Sequence, residues 1–330
     1  MKYIYIINGR NDKLPLYDEL YRQLKQVPHS YEVYTTVGEG DATRFVRLYC
    51  DLHPGEEVCF VACGGNGIIN EVASGLVGFF QYRKLFFEKS SSHNPETSVE
   101  HSSPTKRSVP NFTMAILYIG GATEDFLINF PGRDFRSLKA MLAGTVKDID
   151  IIKVNDSYSL NVCNIGFNSR VASRANELIA KGKTAHEAYT RGVINAILTS
   201  RYNHIKVMVD GQRIAYGYMV LCTLANGMRV GGEFNCAPYA KVDDGLIDVC
   251  YFRAMSLLRL ILLIPYYRNG QHIGSKVGGR KVIFRQAHEV TLSSKDLIDI
   301  YLDGEQLTGS HFDIKILPGA LPLRLPPAVQ

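Results

Sequence analysis

Residues Cys63-Gly64-Gly65-Asn66-Gly67-Ile68-Ile69-Asn70-Glu71-Val72 place three glycines between a continuous apolar run, Val58-Cys59-Phe60-Val61-Ala62, and a stretch over 70–80 with Val72, Ala73, Leu76 and Phe80 along one side. The run reads as a strand buried on both faces and the stretch as a helix. Glycine permits positive φ and lets a phosphate reach bare backbone N–H groups, while the helix N-terminus that follows favours negative charge. A glycine turn of this kind also serves close packing. Neither GxxxxGK[ST] nor a well-placed GxGxxG is present, which counts against a P-loop and an ordinary dinucleotide-binding fold.

Outward from this turn the N-terminal third repeats the same grammar. Residues 3–7 and 31–36 read as strands, 16–24 as an amphipathic helix with Leu16, Leu20 and Leu24 on one face, about 41–52 as a further helix and 114–119 as a fourth strand. Strands separated by helices predict right-handed crossovers and a doubly wound parallel α/β sheet, with ligands at the carboxyl ends of its strands. Between the third and fourth strands, 90–111 carries seven serines and three prolines without an apolar period. It is expected to be a disordered insertion, near 88–111, and a tolerated one. Its Lys106-Arg107 pair is read as incidental.

Past about residue 148 the pattern changes to strand-like stretches at 160–163, 205–209, 215–224 and 298–302, with Asp210-Gly211 and Asp303-Gly304 as hairpin turns. Helices are expected only over 170–201 and 256–267. The expected domains are therefore 1–145 (α/β) and 146–317 (β-rich, antiparallel), with the tail from about 318 to 330 returning to the first.

The chain has 330 residues, with 37 Lys and Arg against 32 Asp and Glu, a formal charge of +5. That length favours two domains, and 46% hydrophobic with 21% charged residues excludes wholesale disorder. The mild positive bias does not call for nucleic acid; it suits an anionic substrate or an anionic membrane surface. The longest apolar stretch, 257–264, contains Arg259 and stops at Pro265, short of the roughly 20 residues of a spanning helix. The run at 3–7 is too short for the core of a signal peptide. Seven cysteines without a CxxC pair predict reduced, mostly buried thiols and a cytoplasmic protein. Cys59 and Cys63 are read as core residues, since no partner His or Cys pair lies nearby.

Three further clusters carry candidate chemistry. Gly120-Gly121-Ala122-Thr123-Glu124-Asp125-Phe126 follows the fourth strand, where Asp125 either holds Mg²⁺ or caps a helix before Phe126 and Ile128. The second is Ala225-Asn226-Gly227, Gly231-Gly232 and Ala237-Pro238-Tyr239-Ala240-Lys241-Val242-Asp243-Asp244-Gly245-Leu246; the third is Leu302-Asp303-Gly304-Glu305. On spacing alone the Asp-Gly pairs are turns.

In this order the four pieces resemble the diacylglycerol-kinase catalytic-domain family of lipid kinases. The family's GGDGTxNEV stands here as Gly64-Gly65-Asn66-Gly67-Ile68-Ile69-Asn70-Glu71-Val72, and its GTxND as Gly121-Ala122-Thr123-Glu124-Asp125. Its ANG…GGG…AP.A…DDG block and its late DGE are nearly intact. Ile7-Asn8-Gly9-Arg10, Gly40-Asp41-Ala42 and Arg324-Leu325-Pro326-Pro327 look most like the YegS branch.

The resemblance implies an N-terminal nucleotide-binding domain of NAD-kinase and diacylglycerol-kinase type and a C-terminal β-sandwich with the lipid site. It implies ATP held by Gly64, Gly65, Asn66, Gly67, Ile68, Ile69 and Asn70, with Asn8, Thr36 and Ala122 lining the nucleotide site. Asp125 would join the Mg²⁺ network, and Glu305 would take the proton of the lipid hydroxyl. Asp244, with the carbonyls of Lys241 and Leu246, would form a structural Mg²⁺ site. The implied partner is a membrane lipid met by peripheral contact with the membrane surface, with no nucleic acid and the oligomeric state left open, a dimer included. The helix at 257–264, with Arg259, Arg268, Arg280 and Lys281, offers an aid to lipid access, but simple core packing is the preferred reading for it.

This chain departs from the family pattern at Asn66, Ile68, Ala122 and Glu124. Two readings therefore stand: an active ATP- and Mg²⁺-dependent lipid kinase, or a catalytically degenerate homologue that binds lipid or nucleotide. A soluble-substrate kinase of NAD-kinase or phosphofructokinase type ranks third, because the DDG block and the late DGE fit it poorly.

Overall fold

The computed structural model describes residues 1–10, 14–91, 111–120, 124–166, 178, 181 and 203–328. Most of the serine-rich insertion, almost all of 170–201, and Ala122 with Thr123 fall outside them. The chain divides into two compact units. One comprises residues 1–120, 132–149 and 320–330; the other comprises 121–131 and 150–319. Residues 121–131, which carry the loop after the fourth strand, thus group with the second unit.

In the first unit, β1 (Lys2–Asn8), α1 (Asp18–Leu24), β2 (Tyr31–Thr36), α2 (Asp41–Leu52), β3 (Val58–Cys63), α3 (Asn66–Ser91) and β4 (Phe112–Leu117) alternate along the chain. The strands lie parallel in the order β2-β1-β3-β4, and Leu323 and Arg324 pair in parallel with Met114 and Ala115 beyond β4. All six residues of β3 and of β4 are buried, as their unbroken apolar runs require. Tyr3, Tyr5 and Ile7 lie in a core with Tyr17, Leu20, Leu24, Leu138 and Met141; the last two belong to α4 (Leu138–Leu142). The alternate residues Ile4, Ile6, Phe60 and Met114 are also fully buried, and α3 lies against β1, β3 and β4. Helices cover both faces, so the sheet is doubly wound.

Two sequence expectations shift here. Leu16 is exposed and Tyr17 is buried, so the buried face runs 17, 20, 24 rather than 16, 20, 24. Leu14–Tyr17 is a 3-10 turn, whose tighter pitch rotates Leu16 out of the stripe. Helix α3 begins at Asn66, four residues early, and continues to Ser91, into the span assigned to the insertion.

The second unit contains β5 (Thr145–Val154, from Asp150 onward), β6 (Ser157–Ser159), β7 (Val162–Gly166), β8 (Asn203–Val209), β9 (Gln212–Ala225), β10 (Ile247–Arg253), α5 (Leu257–Arg268), β11 (Val282–Ala287), β12 (Glu289–Leu302) and most of β13 (Glu305–Leu325). Its named pairings are antiparallel: β11-β10-β9, with β7 and β8 each joining different halves of β9 to β12, and β12 with β13. Asp210-Gly211 and Asp303-Gly304 both close two-residue hairpins, with φ of 45° and 76°, and 51° and 107°. These are the left-handed values that right-twisted hairpins demand. All seven cysteines are buried and free.

Candidate active site

The glycine turn of the first unit lies at the carboxyl ends of β1 and β3. Asn8 pairs with Thr36 at the end of the β1–β2 ladder, and the Gly9 N–H donates to Thr36 Oγ1 at 3.3 Å. A Cβ at position 9 would lie 1.9 Å from the Thr36 carbonyl oxygen, so only glycine permits this approach. Asn8 Oδ1 accepts from the Arg10 N–H at 3.0 Å, turning the chain back over the strand end.

Tyr17 joins the two strand ends, a role the sequence pattern did not reveal. Its hydroxyl accepts from the Asn8 N–H at 3.1 Å and donates to the Cys63 carbonyl at 3.2 Å. Burial pushes its phenol up, so the proton it donates stays in place. Gly64 in turn donates to the Leu117 carbonyl at 3.1 Å, fastening the turn to β4.

Beyond these anchors Gly65 and Asn66 are half-buried and Gly67 is exposed, with nothing within 4 Å of a Cβ built on Gly67. The N–H groups in the first turn of any helix lack intrahelical partners, and those of α3 follow this open turn. Bare amides on a glycine turn at a helix N-terminus suit a nucleotide's phosphates. Ile68 is buried, its Cβ 3.8 Å from a Cβ built on Gly64, so it packs beneath the turn. Asn70 is buried too, and its Oδ1 has no hydrogen-bond partner among the described residues, which leaves room for one more donor.

Glu71 serves the scaffold rather than the turn. Its Oε2 accepts from the Ala42 N–H at 3.0 Å, capping α2, while its carbonyl accepts from Thr43 Oγ1 at 2.9 Å. Asp41 closes the same corner by accepting from Tyr34 Oη and the Val37 N–H, the latter holding its carboxyl below the usual range.

In the second unit the motif residues form one hydrogen-bonded frame. Asp303 is half-buried, and its carboxylate accepts from the N–H groups of Leu160 (2.6 Å), Asn161 (3.1 Å) and Val162 (2.9 Å). Burial pushes its carboxyl up while these donors pull it down. The Asn161 carbonyl accepts from Asn226 and Gly227, and its Nδ2 donates to the Arg229 carbonyl at 2.9 Å. Asn226 Nδ2 donates to both Asp150 O and Leu160 O at 2.9 Å, and Asn129 Oδ1 accepts from Met228 N–H at 3.0 Å.

At the far end of this frame, Asp125 Oδ2 accepts from Gly231 N–H at 2.9 Å and Oδ1 from Gly232 N–H at 2.6 Å. Both glycines have positive φ, 66° and 76°, and turn successive amides toward the carboxylate. Asp125 therefore does not cap a helix. A three-residue 3-10 turn, Leu127–Asn129, follows it with Phe126 at the cap position and no side-chain cap. Glu305 stands at the other end, directly after the Asp303-Gly304 turn at the start of β13, and is exposed.

The 241–246 turn is closed by Leu246 N–H donating to Asp244 Oδ1 at 3.1 Å. Behind it Asp150 accepts from Gly245 and Gly319 at 2.7 Å each. Burial pushes the Asp248 carboxyl up to about 6. Among the described residues, no group of three His, Cys, Asp or Glu converges as a cation site. The turn offers the carboxylates of Asp243 and Asp244 and main-chain oxygens, a hard set suited only to a hard cation.

The comparisons with known proteins match both parts of the chain. Residues 2–154 match the family model of the diacylglycerol kinase catalytic domain, and 161–325 match that of the YegS C-terminal NAD kinase beta sandwich-like domain. The chain is 27% identical over 330 residues to a "probable lipid kinase YegS-like" of Cronobacter sakazakii, covering 98% of this chain and 95% of that one. It is 28% identical over 331 residues to a protein of the same description in Serratia proteamaculans, covering 98% and 93%. In fold it is similar to the crystal structure of a diacylglycerol kinase from Bacillus anthracis, with a TM-score of 0.63 at 19% identity, covering 100% of this chain and 98% of that one.

Proposed function

We propose a lipid kinase from a plain premise: this chain belongs to the diacylglycerol kinase catalytic-domain family, in its YegS-like branch. It transfers the γ-phosphate of ATP, with Mg²⁺, to a hydroxyl of a membrane lipid of diacylglycerol, phosphatidylglycerol or sphingoid type. The observation that carries this reading is the frame of the second unit. It spends Asp303 and Asp125 on backbone amides and leaves Glu305 exposed at its edge, where an incoming hydroxyl can meet it.

In this reading Gly65, Asn66 and Gly67 receive the phosphates on backbone amides, Gly64 fixes the turn through its bond to Leu117, and Asn8, Thr36 and Asn70 lie beside them. Ile68 and Ile69 support the turn from below, and Ala122 lines the same site. Glu305 accepts the proton as the lipid oxygen attacks phosphorus, and Asp125 acts by holding the 231–232 loop in place. Bound Mg²⁺ would neutralise phosphate charge as it builds; a second Mg²⁺ would sit at Asp244 with the carbonyls of Lys241 and Leu246. Transfer of label from γ-labelled ATP to dispersed diacylglycerol, phosphatidylglycerol and sphingosine, with and without chelator, tests the proposal. Lipid-dependent label that chelator abolishes is the expected result; no labelled lipid from any of the three overturns it.

One observation favours the degenerate homologue. Asn66 brings no charge to the turn, and Ile68 occupies buried space where the family carries a hydroxyl. If nucleotide binds by calorimetry but label transfers only in Asn66→Asp, the second reading stands. The active-kinase reading expects measurable transfer in the natural chain and a gain of about tenfold or less from the added aspartate.

A further inference from the structure

Helix α5 is apolar on two sides, and only one of them is used. Leu263 and Tyr267 are buried in a core with Val220, Cys250, Phe252 and Met255, and Leu260 packs against it. On the other side, Leu257 (45%), Leu258 (69%), Ile261 (49%), Leu262 (53%) and Tyr266 (38%) are exposed. Core packing, the preferred reading from sequence, therefore accounts for only half of the helix. Ser256 caps its N-terminus by accepting from the Arg259 N–H, so this is a fixed element with an uncovered apolar row.

The charge around that row is one-sided. The forty residues between Asp248 and Glu289 contain seven Lys or Arg (Arg253, Arg259, Arg268, Lys276, Arg280, Lys281 and Arg285) and no Asp or Glu. The rest of the chain then has 30 basic against 32 acidic residues, so the whole positive excess of the molecule resides in the segment that carries α5. Fold brings part of it to the apolar row: Lys281 Nζ donates to the Ala254 carbonyl at 2.9 Å, just before the helix, and Arg259 Nη2 lies 3.9 Å from a Cβ built on Gly279. Arg253, Lys276 and Arg280 are exposed. Glu233 pairs with Arg268 at the helix end, at 2.8 Å; an apolar row otherwise flanked by cations matches an anionic bilayer, whose headgroups attract the cations while the row enters the acyl boundary. No described helix is long and apolar enough to cross a membrane.

We propose that the outer row of α5, with Arg253, Lys276, Arg280 and Lys281, is the surface by which the second unit docks onto an anionic lipid bilayer. The inference rests on the lipid-kinase reading for its purpose, but its test requires neither nucleotide nor turnover. The full chain is sedimented with vesicles of phosphatidylcholine alone or with 30% phosphatidylserine, a lipid without a free glycerol hydroxyl. Strong co-sedimentation only with the serine lipid, falling as salt is raised, is expected.

The triple variant L258Q/I261Q/L262Q, all exposed positions, should weaken binding about tenfold or more. Lys276→Gln with Arg280→Gln should weaken it about fivefold per charge and flatten the salt dependence. Equal binding to both vesicle types, or wild-type binding by both variants, overturns the proposal. Conversion of a dimer to a monomer by the triple variant, with vesicle binding unchanged, also overturns it and makes the row a contact between copies. Should the triple variant fail to fold, the charge pair alone decides. A chain that labels detergent-dispersed lipid but ignores vesicles sinks the docking surface alone, and one that docks without labelling lipid sinks only the kinase.

Discussion

The glycine turn of the first unit and the Asp-Gly-Glu corner of the second both look, in sequence, like strings of chemically active groups, but they use their side chains in opposite ways. Around the glycine turn the proposed working surface is the main chain. Tyr17 and Leu117 fasten it to β1 and β4, and Gly67 at its centre is exposed. At the Asp-Gly-Glu corner the carboxylates face inward: Asp303 receives three backbone N–H groups, and Asp125 receives two at the other end of the frame. Only Glu305 is exposed there. Neighbouring residues of a single motif thus differ: Asp303 holds the backbone, whereas Glu305 is exposed, and the proposed reaction gives the exposed one the substrate.

The comparison breaks most readily at Asp303. Asp303→Ala strands three buried N–H groups, which should cost about 3 kcal/mol or more in chemical denaturation and lower the melting temperature by several degrees. A near-wild-type midpoint would mean that the frame does not depend on it.

His272 provides the next largest effect, again in the second unit. It is fully buried between the rings of Phe252 and Tyr267, and burial holds its pKa down to about 4. Its folded value lies below the unfolded 6.5, so the unfolded state binds the extra proton first. Stability is complete above pH 6.5 and is lost as pH falls toward 4, by about 2–3 kcal/mol at most. His272→Phe should remove that slope from denaturation curves recorded between pH 4 and 7.

The smallest effect sharpens the other side of the comparison. Tyr17→Phe deletes a buried hydroxyl with two partners and should cost about 1–2 kcal/mol. It should also weaken nucleotide binding several-fold by calorimetry, because both strand ends beneath the turn lose their tie. Loss of stability without any change in nucleotide affinity would make Tyr17 a core residue only.

Much of the first unit was legible because parallel strands are buried on both faces and therefore appear as unbroken apolar runs, as at 58–63 and 112–117. The two Asp-Gly hairpins were legible for a local reason, since φ is set by the turn residues themselves. Illegible were the partners that tertiary structure supplies: Glu71 on the α2 N-terminus, Tyr17 across two strand ends, and Asp303 on residues 160–162. Strands β5, β6, β10, β11 and β13 were not read, nor the first nine residues of β12; in β11, β12 and β13 polar and apolar residues mix without a clean alternation. Helix α5 shows the limit most plainly. A helix with apolar residues on all sides shows no clear periodic face, so sequence does not say which side the core takes, and the expected packing held for Leu263 and Tyr267 but not for Leu258, Ile261 and Leu262.

The account turns on Glu305 being the exposed carboxylate of its corner, while Asp303 beside it is held by backbone amides. Glu305→Gln, assayed by lipid-dependent transfer of labelled γ-phosphate alongside its melting curve, addresses this most directly. The account predicts a loss of about 10²–10⁴-fold in kcat with the melting temperature unchanged. Wild-type turnover in the variant, or a collapse of stability like that expected of Asp303→Ala, would contradict it.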